Sequence, residues 1–193
     1  MSSAVADTEA PKGAPKFPPS ETSIEILEKM VEQGTLPAQE DLGWRAALEE
    51  TEPTPRSNEV VVFTTFFLFG FGLPTCDFFR HLLEFYQIEA HHLNPNSIIH
   101  IATFIHLCEG YLGIRPYFPL WQHLFRLHPQ PSRSNPSVFG GAGFRLRSAS
   151  DYIEMPLISS HSGWHKLWFY AENFIPALPP YTCLLYTSPS PRD

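Results

Sequence analysis

The chain has 193 residues, 43% hydrophobic and 14% aromatic, with a formal net charge of −7 at pH 7, enough for one domain of ordinary size. Residues 1–57 carry 5 Lys/Arg and 11 Asp/Glu, whereas residues 58–182 carry 7 and 8 and hold all nine histidines. That near-neutral second segment lacks the basic footprint of a dedicated nucleic-acid binder, whose affinity comes largely from neutralising phosphates.

In chain order, residues 1–20 are rich in Pro, Ala, Ser and Lys, too poor in apolar groups to offset the cost of ordering, and disorder is expected. Ser23 can then cap a short helix in which Ile24, Leu27, Met30 and Val31 repeat at helical spacing before Gly34. Leu42, Trp44 and Leu48 suggest a further helical turn or two between Pro37 and Glu50, and Thr51 to Asn58 reads as a linker. Residues 1–57 therefore form an acidic leader, largely disordered apart from a short helix.

Glu59 to Phe67 is β-branched and aromatic and apolar on both faces, which predicts a strand buried centrally in a sheet or under helices. Gly70, Gly72 and Pro74 end it, and Thr75 caps a helix reaching about Gln87, with Phe78, Phe79, Leu82, Leu83 and Tyr86 inward. The next helix is the best marked, since Asn94 is a good N-cap and Pro95 fits the first helical position. Ile98, Ile101, Ile105, Cys108 and Leu112 fall on one face of it. Gly113 and Pro116 close it. A third helix is predicted from about Pro119 to Leu127, followed by a Pro/Ser-rich loop to Ser137.

Beyond that loop the pattern turns strand-like. Phe139 to Arg147, Tyr152 to Leu157 and Trp164 to Tyr170 read as two or three antiparallel strands. The expected fold class is α+β: a leader, then a strand, a three-helix cluster and a small antiparallel sheet. The last eleven residues, Cys183 to Asp193, resemble the in-frame translation of a transposase-type sequencing-library adaptor. They are treated as an artefact and left out of fold reasoning. The native chain is expected to run past Thr182.

Several runs together carry a family resemblance: Gly70-Phe71-Gly72-Leu73-Pro74, Leu93-Asn94-Pro95-Asn96, Leu107-Cys108-Glu109, Leu112-Gly113-Ile114 and Leu120-Trp121. The glycine-rich strand closing on Arg145 and Arg147, Ser160 to Trp164, and Trp168-Phe169-Tyr170 extend it. From about residue 58 to 182 the chain resembles the gypsy-type transposon domain, a plant family named for its retrotransposon context. The resemblance implies a retrotransposon-derived protein; no single tripeptide in it is specific.

A strand-transfer enzyme needs carboxylates converging on two metal ions. Glu59, Asp77, Glu84, Glu89, Glu109, Asp151, Glu154 and Glu172 show no such pattern, and solvated surface carboxylates are the commoner state. His161 and His165 have zinc-ligand spacing, but no Cys pair accompanies them. His91-His92 are adjacent, and His100, His106 and Cys108 do not converge on one helix. Cys108 lies on an apolar face, unlike a reactive thiolate. Gly140-Gly141-Ala142-Gly143 runs into Phe144 rather than Lys-Ser/Thr, so it is no phosphate loop. No catalytic, cofactor-binding or metal residue is assigned, and no small-molecule substrate is evident.

The one nucleic-acid feature is Arg145, Arg147 and Lys166 with Trp164, in a run that includes Arg126 and Arg133. Basic groups among aromatics can hold single strands. No secretory signal is visible, the uncharged run from Val60 to Cys76 is short of the roughly 20 residues a membrane helix needs, and three cysteines give no disulfide framework. An intracellular place, nuclear or cytoplasmic, is expected. The sequence reading is thus a non-catalytic structural or interaction module of a gypsy-type element, with self-association or a protein partner. A nucleic-acid-binding module is the alternative, and a transposase-related enzyme the more distant one.

Overall fold

The computed structural model describes residues 17–129, 139–147, 152–153, 157, 161–175 and 178. The adaptor-like tail, residues 1–16 and residues 154–156 of the expected Tyr152 to Leu157 strand lie outside them, and the described Tyr152, Ile153 and Leu157 are not in a strand. The fold is α+β, with several helices and two two-stranded antiparallel sheets.

The apolar run after Glu59 forms β1 (Glu59–Phe63), buried at every position. Its partner is β4 (Trp168–Glu172), in a register from Glu59↔Glu172 to Phe63↔Trp168. The strand is shorter than expected. The Thr64 amide bonds the Leu167 carbonyl at 2.9 Å, ending the ladder, and the chain turns into α3 (Thr64–Leu68). A continuous apolar run does not by itself tell strand from buried helix. Phe66 and Phe67 stay buried either way.

The leader belongs to the same core. Leu27 and Met30 of α1 (Ile24–Glu32), Leu42 of α2 (Gln39–Leu42), Leu36 and Trp44 are all buried. Residues 17–20, expected to be disordered, are tied in as well. Phe17 is 4% exposed and packs on Phe139 and Trp168, and the Ser20 hydroxyl donates to the Trp168 carbonyl at 2.6 Å. Ser23 stands at the N-cap of α1, but its side chain makes no capping bond.

A salt bridge fixes this attachment. Arg45 exchanges backbone hydrogen bonds with Tyr170 on the flank of β4, and its guanidinium stacks 3.6 Å from that ring. Its Nε and Nη2 each donate to the buried Glu59 carboxylate at 2.9 Å, and the Arg56 amide adds a third bond at 2.8 Å. Burial pushes the Glu59 carboxyl up, but bonds from Arg45 and Arg56 and their charges outweigh it, leaving it below its ordinary value. This stabilisation is therefore present above the carboxyl's unfolded pKa and disappears as pH falls through the lower folded one. Arg45→Met strands the buried carboxylate and is expected to cost about 2 kcal/mol at pH 7. That is less than the ~3–5 kcal/mol for a fully buried pair, because Arg45 keeps some solvent contact. Urea unfolding should show the deficit shrinking as pH falls from the ordinary carboxylate range through the lower folded value of Glu59; a deficit independent of pH would refute the assignment.

Downstream, α4 (Asp77–Tyr86) starts one residue later than expected. Cys76 takes the N-cap position, and the buried Thr75 hydroxyl has no hydrogen-bond partner. Helix α5 (Pro95–His106) begins as the sequence indicates, with Asn94 Oδ1 accepting from the Ser97 amide at 2.8 Å. The Ser97 hydroxyl then accepts from the Phe144 amide at 2.9 Å, locking the helix start to β3 (Ala142–Leu146). The helix passes into a π-helical segment, Leu107–Leu112, ended by Gly113 at φ +64°. The looser winding rotates the apolar stripe, so Cys108 stays buried while Leu112, expected inward, is 54% exposed.

The third predicted helix is α6 (Phe118–Leu124), which ends three residues earlier than expected. Phe125 pairs with Leu146 instead, opening β2 (Phe125–Pro129) against β3. At the centre Trp121 is fully buried among Phe78, Phe104, Phe125 and Phe144. Among the described residues, no helix is long and apolar enough to cross a membrane.

Candidate functional site

The carboxylates disperse over the fold. Glu59 is held by Arg45, Asp77 pairs with Arg80, and Glu172 accepts from Asn58 at 3.2 Å. Glu89 receives an amide at the start of the 3₁₀ turn Ala90–His92, while Glu84 and Glu109 point to solvent. Asp151 and Glu154 lie outside the described residues. Among the described residues no group of three or more His, Cys, Asp or Glu could hold a metal ion.

The histidines are equally separate. Burial pushes His91 down to about 3, helped by the adjacent His92, and pushes His92 to about 4. Both are neutral at physiological pH and add nothing to the basic surface. His161 Nε2 bonds Asn96 Oδ1 at 2.8 Å. Burial, then the neighbouring Glu109 charge, raises the pKa of the Cys108 thiol, so it packs as a small apolar group.

The four residues of the nucleic-acid reading fall into two places. Arg145 and Arg147 are exposed on and just beyond β3. Trp164 and Lys166 form a 3₁₀ turn before β4, the strand of the other sheet. The Trp164 ring stacks on Phe66 at 5.6 Å and 22° and meets Phe63 edge-on at 4.8 Å. Gly140 accommodates it, since a Cβ there would lie 2.7 Å from the indole. Lys166 Nζ pairs with Glu21 at 2.8 Å. Neither joins the two arginines.

Strand register supplies a different companion. Arg126 stands directly opposite Arg145, and Arg147 is two residues along on the same face. All three are exposed, whereas Phe125 and Phe144 on the reverse face are buried. Among the described residues none of the three arginines has an acidic partner; the Arg147 Nε bonds the Gln122 carbonyl at 2.8 Å.

Two further features follow from the tertiary structure. An apolar cleft of about 240 Å³ is lined by Phe71, Pro74, Thr75, Phe79, Ile98 and Ile101, so the Gly70 to Pro74 motif forms its rim. Then exposed apolar side chains are concentrated over residues 111–117, from the end of the π-helical segment to the start of α6. Tyr111 is 79% exposed, Leu112, Ile114 and Tyr117 also face solvent, and exposed Phe85 adjoins through Phe118 at 4.5 Å. Sequence reasoning placed Leu112 inward and missed this patch. The only hint was Tyr111, flanked by Gly110 and Gly113 and off the apolar period.

No curated protein and no solved structure matches the chain. Residues 60–129 match the family model described as "Putative gypsy type transposon". The matched segment contains all of β1 but Glu59, the Gly70 to Pro74 cleft rim, α3, α4, α5, α6, residues 111–117 and β2. Over residues 60–129 the chain therefore carries the domain of the gypsy-type transposon family.

Proposed function

We propose that the chain is a non-catalytic interaction module of a gypsy-type transposable element, and that it self-associates through the patch formed by Tyr111, Leu112, Ile114 and Tyr117. The patch itself carries this reading. Large side chains gathered on one exposed surface cost solvation in the free protein and mark a contact surface. Aromatic residues are also the types enriched where protein interfaces gain their energy. The dispersed carboxylates support a non-catalytic role, since strand chemistry needs them convergent. The nucleic-acid reading of Arg145, Arg147, Lys166 and Trp164 gains less support, because Trp164 packs inward and Lys166 is already paired.

Sedimentation velocity in about 1 M salt, where the Debye length is about 3 Å and charge contacts are screened, tests the proposal. The wild-type mass should rise with concentration, and Tyr111→Ser with Leu112→Ser should return it to monomer. Both positions are solvent-exposed, so stability should move by no more than about 0.5 kcal/mol each. A monomer at every concentration, or association untouched by the double variant, refutes the reading.

A further inference from the structure

The three arginines on the solvent face of the β2–β3 sheet are an unspent feature of the fold. Arg126 and Arg145 are cross-strand partners, an arrangement that places their Cβ atoms about 5 Å apart and sets like charges side by side, which is unfavourable unless something neutralises it. Arg147 extends the row by about 7 Å along the strand. A polyanion is one answer, but among the described residues the aromatics of this sheet, Phe125 and Phe144, are buried on the other side and offer it no stacking platform.

The complementary surface is present in the same molecule. On α1, Glu25, Glu28 and Glu32 recur at intervals of three and four residues and are all exposed, so they share one face. The row spans about 10 Å at 1.5 Å per residue, close to the length of the arginine row. None of the three glutamates has an ion-pair partner among the described residues, and Lys29 is the single basic residue of the helix. Exposed Ile24 and Ile26 flank the row and add apolar contact.

We infer that a second copy of this chain docks its α1 glutamate row on the Arg126–Arg145–Arg147 face. The contact joins two different surfaces, so it is heterologous and builds chains or rings rather than a closed twofold dimer. It rests on the reading that the protein self-associates, but uses a different surface from the Tyr111 patch and opposite solvent conditions. The two contacts can therefore fail separately.

The experiment is sedimentation velocity on the full chain at about 0.01 M and about 1 M salt, where the Debye length falls from about 30 Å to about 3 Å. With the patch silenced by Tyr111→Ser and Leu112→Ser, the protein should associate at low salt and be monomeric at high salt. Arg126→Glu with Arg145→Glu should abolish this, as should Glu28→Arg with Glu32→Arg, each weakening association at least ten-fold with an unchanged Tm. An equimolar mixture of the two charge variants should recover association, because the intact glutamate row of one meets the intact arginine face of the other and the two reversed surfaces are again opposite in charge. Monomer at low salt, association indifferent to either reversal, or a mixture that stays monomeric overturns the inference. So does tight, Arg126- and Arg145-dependent binding of a single-stranded oligonucleotide while the glutamate reversal has no effect on mass. Salt-resistant association of the unaltered protein, lost in the patch variant, would leave the proposed function standing without this contact.

Discussion

A fragment limited to residues 60–129 is expected to show no cooperative unfolding transition, although it spans the whole family match. Every strand in it loses its partner. β1 pairs with residues 168–172 and β2 with residues 142–146, both outside the fragment. The segment also loses the buried Trp168, Phe169, Tyr170 and Phe144, and on its other flank Leu27, Met30 and Trp44. Fully burying each such side chain contributes roughly 1.5–3 kcal/mol. Removing seven of them, roughly 10–21 kcal/mol together, matches or exceeds the net stability of a typical domain, about 5–15 kcal/mol. Circular dichroism against urea is the measurement. The fragment should give a shallow, featureless slope where residues 17–178 give a sigmoid, and a sigmoid from the fragment would show that the long-range pairs are dispensable.

Trp121→Ala is expected to be the most damaging single substitution in the core, costing about 3–5 kcal/mol. Trp121 is fully buried, stacked 4.2 Å from Phe125 at 24°, with Phe104 at 5.2 Å and Phe144 at 4.9 Å edge-on. Those rings come from β2, α5 and β3, and Phe78 of α4 closes the cluster at 5.8 Å. One indole thus bridges four elements, and truncation leaves a cavity that no single side chain can refill. The midpoint of thermal unfolding should fall by roughly 10–15 °C. Trp121→Phe, which keeps an aromatic ring in place, should lose less than half as much. A loss of under about 1 kcal/mol in Trp121→Ala would mean that the cluster does not hold these elements together.

The start of α5 and the burial of β1 were legible in the residues. Asn94 and Pro95 begin a helix through bonds made within three residues, and Val60 to Phe63 are too apolar to leave exposed on either face. The family resemblance read from the glycine, proline and aromatic runs is likewise borne out over residues 60–129. Other features depended on segments far apart in the chain. Phe17 and Arg45 looked like parts of a detached leader, but Trp168 and Tyr170 of β4 supply the rings they pack on.

The candidate surfaces divide in the same way. Exposed arginines on a short strand could be anticipated from alternation, but which arginine faces Arg145 is set by the register of β2, more than a dozen residues away. Trp164 looks like a stacking platform in the sequence but is half-buried in the fold, where Phe63 of β1 and Phe66 of α3 pack against its ring. Leu112 keeps the helical period and still faces water, since the π winding before it rotates the stripe. Capping, apolar runs and net charge act within a few residues of chain, and the sequence by itself determined them. Register, strand pairing and the inward or outward fate of a ring are decided by contacts over tens of residues, so only the tertiary structure could place them.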